Sequence, residues 1–405
     1  MTGTLLLRDA LLADGRRVDV RVAGGVVVAV TPAEAAAGGV DLAGALLLPG
    51  FAEAHGHVDK ALVGALGAGP GLGGALAAWE RHRSRRTVDE TRDRARAALL
   101  EYARHGTTTV RTHVDVAGAR GPEVVAALAD LRRSLAGLVR LELVAMPATP
   151  LTGPSAAATL GHLADALAAG ADLVGGAPWV DADPRAATAA LVAVAAAHGT
   201  GLDLHVDETL SPERPALGHV LAAVEAGFPG EVTVGHLVGL GQAPEDAQRT
   251  VAASLARAGV TVVTNPRSNL WLQERERASG ARRGLTAVRA LLDAGVRLRA
   301  GGDNLRDPFS PYGSADPLAV AQLLALAAPV SAAEALTAVT GTGGLLPAVG
   351  APADLVALPA AGVEDAVARV PGARLVVRAG RVVARRRVVD EWVPPAGFEP
   401  ALGRV

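Results

Sequence analysis

Two histidines, His55 and His57, stand one residue apart just after an apolar run (45–48) and a Pro49-Gly50 pair. On an extended segment, residues i and i+2 point the same way, so the pair can aim two imidazoles at one point. Neutral imidazole is the commonest metal ligand. Two ordinary histidines in a turn would look the same in isolation, so the remaining donors must come from elsewhere in the chain. Four later segments carry suitable groups: His205-Val206-Asp207-Glu208, His236, Asn265 to Trp271, and Gly301-Gly302-Asp303-Asn304. His55, His57, His205 and Asp303 form a three-nitrogen, one-oxygen set for a divalent metal with room for water. Glu208 and His236 remain, and activated-water chemistry needs such a pair, a proton shuttle and a polarising group. Single histidines are more often structural. His113 reads as a structural residue or a support for a ligand, and His82, His105, His162, His198 and His219 fall on helices or at their ends.

The elements that would position these groups repeat along the middle of the chain. Apolar strands are expected over 46–57, 107–115, 140–147, 171–179, 201–208, 231–236, 259–266 and 295–303. Between them lie Ala/Leu-rich helices over 87–105, 122–136, 155–169, 184–198, 216–226, 247–258 and 286–294. Several of these end in glycine, as in His105-Gly106, Ala169-Gly170, Ala258-Gly259 and Ala294-Gly295, the usual helix C-terminal signal. Eight strands alternating with helices over roughly 300 residues predict an α/β fold, a (β/α)8 TIM barrel. In such barrels the chemistry sits at the C-terminal strand ends, where His55, His57, His205, Glu208, His236 and Asp303 fall. The two ends of the chain alternate short strands with turns, which predicts a small β-sandwich domain built from 1–48 and 347–405 around a catalytic barrel over 49–346. A Gly-rich stretch, 64–74, is the one long loop and is a candidate lid.

Composition narrows the function classes. The chain has 405 residues, is half apolar and carries a net charge of −2, with no basic stripe for nucleic acid. Cysteine is absent, which removes disulfides, thiolate metal sites and a cysteine nucleophile. No apolar run reaches the ~18 residues of a membrane span, and no signal peptide is evident, so a cytoplasmic protein without membrane or nucleic-acid partners is expected; a homo-oligomer is compatible with this. There is no isoleucine, one lysine (Lys60) and three asparagines (Asn265, Asn269, Asn304). In a composition so skewed toward Arg, Val and Leu, the retained Lys and Asn gain weight as site residues.

Taken together, Pro49-Gly50-Phe51 with His55-x-His57-Val58-Asp59, Arg111 to Val116, His205-Val206-Asp207-Glu208, Gly235-His236, Asn265-Pro266 with Asn269 and Leu272-Gln273, Arg282-Arg283-Gly284, and Asp303 with Asp307-Pro308 resemble the amidohydrolase superfamily, in its bacterial cytosine deaminase-like branch. The resemblance implies one divalent metal (zinc first, with iron or manganese as alternatives) held by His55, His57, His205 and Asp303. It implies that Glu208 protonates a ring nitrogen and passes protons to leaving ammonia. His236 would polarise the attacking water, and Asp303 would accept a proton from it. A metal lowers the pKa of water from about 15.7 toward 7, which makes hydroxide available at neutral pH. Binuclear relatives bridge two metals with a modified lysine on the fourth strand; the segment 171–179 has none, which implies a mononuclear site.

The sequence also departs from the branch. Cytosine deaminases end the third strand in Pro-Gln, and the glutamine reads the pyrimidine; here it is Pro147-Ala148, which removes a specific pair of hydrogen bonds. Asp59-Lys60 and the 303–307 segment look more like enzymes that hydrolyse N-isopropylammelide. Lys60, Ala148, Trp271, Asn304 and Phe309, with Arg306, are therefore the candidate substrate-binding residues; Lys60 and Arg306 could instead simply pair with Asp59 or Asp307. The expected activity is deamination of an amino-substituted N-heterocycle (pyrimidine, purine, pterin or triazine) with release of ammonia. The alternatives are hydrolysis of another cyclic amide or lactone, or of an N-substituted ammelide, and a non-catalytic metal-binding barrel.

Overall fold

The computed structural model describes residues 3–34, 38–213, 216–282 and 284–391. Arg283 of the Arg282-Arg283-Gly284 motif and the tail 392–405 lie outside the described residues. Eight parallel strands form one sheet in chain order: Phe51–Gly56, Thr107–Asp115, Arg140–Met146, Leu173–Gly176, Leu202–Val206, Val232–His236, Thr261–Thr264 and Leu298–Ala300. Their neighbours are in register along the sequence, as in His205 opposite Gly235 and Val206 opposite His236. A parallel bridge between Gly56 and Asp303 brings the eighth strand back to the first. This is the predicted (β/α)8 barrel.

The closure is completed by a side chain. Glu53 accepts hydrogen bonds from the backbone N–H of Gly302 (2.9 and 3.0 Å) and of His55 (3.1 Å). A buried N–H without a partner is costly, and the Glu53 carboxyl stands where ladder bonds between the first and last strands are missing. Burial pushes this carboxyl up to about 8 against the bonds from His55 and Gly302, which lower it.

The predicted strand 46–57 is two strands. Leu46–Pro49 pairs antiparallel with Leu355–Leu358 in a second, mixed sheet, and Phe51–Gly56 pairs parallel with the second barrel strand. The chain changes sheets at Gly50, where a Cβ would stand 2.5 Å from the Thr108 hydroxyl, so a side chain there would block the crossing. The mixed sheet combines Thr4–Leu11, Arg17–Ala23, Val26–Pro32 and Leu46–Pro49 with the C-terminal strands Leu355–Leu358, Arg374–Arg378 and Arg381–Arg386. Its buried face contains Leu7, Val20, Val22, Leu47, Leu355 and Val377.

The connecting helices begin and end where local signals place them. Thr87 caps Val88–Arg104 through a reciprocal bond pair with Glu90, which satisfies two of the free N-terminal donors. The glycines after helices adopt positive φ, for example +94° at Gly106 and +66° at Gly259, as a left-handed helix terminus requires. Several helices were not expected from the sequence, among them Pro266–Leu272, Pro317–Ala327 and one beside the site. The last, Gly71–Arg83, occupies part of the presumed loop, its helical pattern masked by Gly71, Gly73 and Gly74. Among the described residues no helix is long and apolar enough to cross a membrane.

Candidate metal centre and substrate pocket

The barrel delivers its histidines to one point. His55 Nε2 and His57 Nε2 each lie 3.1 Å from His205 Nε2. His57 Nε2 lies 3.3 Å from Asp303 Oδ1. All four residues are buried. Ligands held roughly 2.0–2.1 Å from one tetrahedral ion stand about 3.3–3.4 Å from each other, close to these distances, so the spacing is consistent with a single divalent metal. Asp303 Oδ1 is buried with no hydrogen bond, while its other oxygen accepts from the Ser268 hydroxyl. A cation among these groups would satisfy that oxygen and the facing nitrogen lone pairs.

The protonation states agree. Burial, with crowding by the other histidines, drives His55 and His205 well below the usual histidine range. Burial and then the Lys60 ammonium lower His57 to about 4. All three are therefore neutral, the ligating form. Burial tends to raise Asp303, but its contacts with His57 and His236 and the hydrogen bond from Ser268 hold it down at about 2. His113 joins His55, His57 and His205 in a four-histidine group. Its Nε2 already faces Asp203, at 3.2 Å from the carbonyl and 3.3 Å from Oδ1, and it does not border the substrate cavity. This favours Asp303 over His113 as the fourth ligand. Asp203 Oδ1 also lies 3.9 Å from His55 Nδ1, and Arg111 donates to Asp203 Oδ2 at 3.0 Å, so a charged network underlies the first two strands.

Beside this centre sit the two groups left over from the ligand set. Glu208 Oε1 accepts from Asn269 Nδ2 at 2.9 Å and lies 3.3 Å from His236 Nδ1. Asn265 Nδ2 lies 3.4 Å from His236 Nε2. Burial raises the Glu208 carboxyl to about 7, against the lowering effect of His236, so near neutral pH it can hold or release a proton. His236 and Asp303 adopt left-handed backbone, with φ of 73° and 63°, conformations that non-glycine residues keep only where the surrounding structure enforces them. Two of the three asparagines thus hold the Glu208–His236 pair.

A cavity of about 390 Å³ opens above the centre, bordered at its floor by His57, His205, Glu208, His236 and Asp303. Lys60, Ala148, Asn304 and Phe309 border it as expected. Lys60 Nζ lies 2.9 Å from His57 Nδ1, 4.0 Å from Asp59 and 5.5 Å from the Trp79 ring centroid. Asn304 donates to Asp307 at 2.8 Å.

Two expected binding residues are not in the cavity. Trp271 sits on the helix Pro266–Leu272, which turns it outward against Tyr312 and the Arg275 guanidinium, 3.7 Å from its ring centroid. Arg306 is directed away and pairs with Glu101 rather than with Asp307. In their place stand Trp79, from the unexpected helix Gly71–Arg83, and Trp179, just after the fourth strand. Trp79 Nε1 donates to Asp115 Oδ2 at 2.7 Å. Arg86 stacks 5.0 Å from the same ring and bonds Asp59 and the Asp115 carbonyl, which fastens the helix to the first two strands. Glu53 could have been found from its spacing, since residues 53, 55 and 57 fall at alternate positions along and just past one strand. Asp203 stands in the same relation to His205.

A family model described as the Amidohydrolase family matches residues 71–384. The chain belongs to the amidohydrolase family. A pterin deaminase of Rhizobium rhizogenes is 32% identical to it over 94% of this chain and 89% of its own length. Among solved amidohydrolase-like structures, 5-methylcytosine deaminase from Klebsiella pneumoniae liganded with 5-fluorocytosine superposes with a TM-score of 0.87 at 25% identity, covering 96% of this chain and all of that one. N-isopropylammelide isopropylaminohydrolase from Burkholderia multivorans superposes with a TM-score of 0.80 at 32% identity, covering 95% and 99%.

Proposed function

We propose that this amidohydrolase is a one-metal aminohydrolase that deaminates a flat amino-substituted N-heterocycle of two-ring, pterin-like size. The observation that carries the reading is Glu208, buried beside the metal centre, bonded by Asn269 and facing the cavity with a carboxyl raised to about 7. Replacing a ring amine by oxygen requires a proton at a ring nitrogen while water adds to the adjacent carbon. A second proton must reach the amine as the C–N bond breaks. A carboxyl poised near neutrality can make both transfers.

His55, His57, His205 and Asp303 would hold the metal, which supplies Lewis acidity and hydroxide at neutral pH. Glu208 would give its proton to the ring nitrogen, recover one from the attacking water through Asp303 and deliver it to the departing ammonia; the proton left on the added oxygen as the C–N bond breaks would return to Glu208 through Asp303, which restores the starting state. His236, kept beside Glu208 by Asn265 and Asn269, faces the oxygen on which charge develops and stabilises it. Lys60 and Asn304 read acceptors on the ring, and Trp79 and Phe309 cover its faces.

Three observations support a ring larger than cytosine. Ala148 leaves the third strand without an amide, the cavity is about 390 Å³, and the pterin deaminase relative aligns with nearly the whole chain. The 32% identity to an N-isopropylammelide isopropylaminohydrolase favours a second reading, in which the same centre expels an alkylamine.

The test is a screen of metal-loaded protein against pterins, isoguanine, cytosine, 5-methylcytosine and alkyl-ammelides, with ammonia, alkylamine and acid products measured separately. Ammonia from a pterin, lost in Glu208→Gln, is the expected result. Alkylamine release selects the second reading, and a ring-opened acid without ammonia rejects both.

A further inference from the structure

Leu72, Leu76, Trp179 and Val180 border the cavity without a part in the ring contacts proposed above. The end opposite the cavity floor is built differently. One wall is the exposed-to-buried face of the helix Gly71–Arg83, where Leu72 and Leu76 border the cavity. The other is formed by Trp179 and Val180, after the fourth barrel strand. Leu76 is 45% exposed and Val180 is 43% exposed. These are large apolar side chains left in water on both sides of the mouth of one continuous cavity. A bare two-ring heterocycle, with about twelve heavy atoms, occupies on the order of 150 Å³, and ligand sites normally bury most of their occupant's surface. The about 390 Å³ present therefore exceeds what a bare ring fills.

The charges at this end decide what kind of group would fill the remainder. Arg83 is the cation of the outer wall, and it is already paired with Glu80 and, at 3.4 Å, with Asp115. Two carboxylates face one guanidinium, so an anionic substituent would meet net negative charge and have to displace an existing partner. A neutral apolar group meets Leu72, Leu76, Trp179 and Val180 and removes their exposed surface from water.

We propose that the outer half of the cavity is a subsite for a neutral alkyl or aryl substituent carried by the heterocycle, so that the substrate is a substituted ring rather than a free base. This rests on the deaminase reading above, because the ring must sit with its amine at the metal centre for a substituent to reach the mouth.

The experiment compares kcat/KM for ammonia release from three matched rings: 2-amino-4-oxopteridine, its 6- or 7-isobutyl derivative, and its 6-carboxylate. An extra apolar group in a fitted pocket is worth roughly tenfold or more, so the better isobutyl isomer should exceed both others by at least about that factor. Substituting Leu76→Asn and Val180→Asn together should collapse the isobutyl-to-bare ratio toward one, and because both positions are nearly half exposed the variant should stay folded, with a circular dichroism spectrum like the parent's. A bare or carboxylated ring that equals or outperforms the alkylated one overturns the subsite while leaving the deaminase reading intact. A ratio unchanged in the double variant also overturns it. Ammonia from none of the three rings overturns the deaminase reading and the subsite with it.

Discussion

Gly235 lies on the sixth barrel strand directly opposite His205 and immediately before His236. A Cβ at this position would stand 2.7 Å from His55 Cε1 and 2.9 Å from His55 Nδ1. Gly235 is not among the residues with positive φ, so Gly235→Ala meets no backbone penalty and its effect is the contact alone. Unbonded carbons settle about 3.5–4.0 Å apart, so the new methyl is about 0.8 Å too close and the His55 ring has to move by several tenths of an ångström. Ligand distances in a metal site hold within about 0.2 Å, and even outer-sphere disturbances cost about 10–100-fold in affinity. Gly235→Ala should therefore weaken metal binding at least 10–100-fold, about 1.4–2.8 kcal/mol, with the fold intact. The assay is competition against a chelator of known affinity, with circular dichroism on the same samples. Gly218→Ala is the control: nothing lies within 4 Å of a Cβ there, it sits on the helix Leu217–Glu225, and alanine is favoured over glycine in helices. Parental metal affinity in Gly235→Ala would refute the assignment of His55 as a ligand held in place by packing.

Four further outcomes follow from the same geometry. Glu208→Gln should lower turnover by about 10²–10⁴-fold with metal content unchanged, and loss of metal would show instead that Glu208 is structural. Burial raises Glu208 to about 7, so its protonated form is populated below that pH and lost above it; kcat/KM should fall as pH rises through about 7, and a flat profile to pH 9 would remove Glu208 as the acid. Asp115→Ala leaves the Trp79 indole N–H without its acceptor, a cost of about 1–3 kcal/mol, and should raise KM several-fold without changing metal affinity, as steady-state kinetics and metal analysis will show. Asp316 bonds Arg374 at 2.8 Å, and the Arg374 side chain is fully buried; Asp316→Ala strands that charge and should cost about 3–5 kcal/mol, read as a lower urea midpoint.

The convergence of the candidate site residues was legible in the sequence because barrel strands end in what they present. His55, His57, His205, His236, Glu208 and Asp303 all occupy strand ends, and an i, i+2 spacing converts directly into two side chains on one face. The break at Gly50 was hidden because both halves of 46–57 are apolar and extended; only the pairing partners differ. Helix Gly71–Arg83 was hidden by its glycines, and with it Trp79 and the outer wall of the cavity. Trp271 was misplaced because a residue after a strand end can enter the cavity or turn away on the next helix, and Pro266 starts such a helix. Arg306 went to Glu101, a partner 205 residues away, and long-range pairing of this kind leaves no local pattern. The same holds for the closure of the barrel by Glu53 and Gly302.

The one-metal deaminase reading is tested most directly by titrating metal-free protein with zinc while following ammonia release from a pterin. Activity should rise linearly and reach its plateau at one equivalent per chain. A plateau at two equivalents, or no ammonia at any loading, would contradict it.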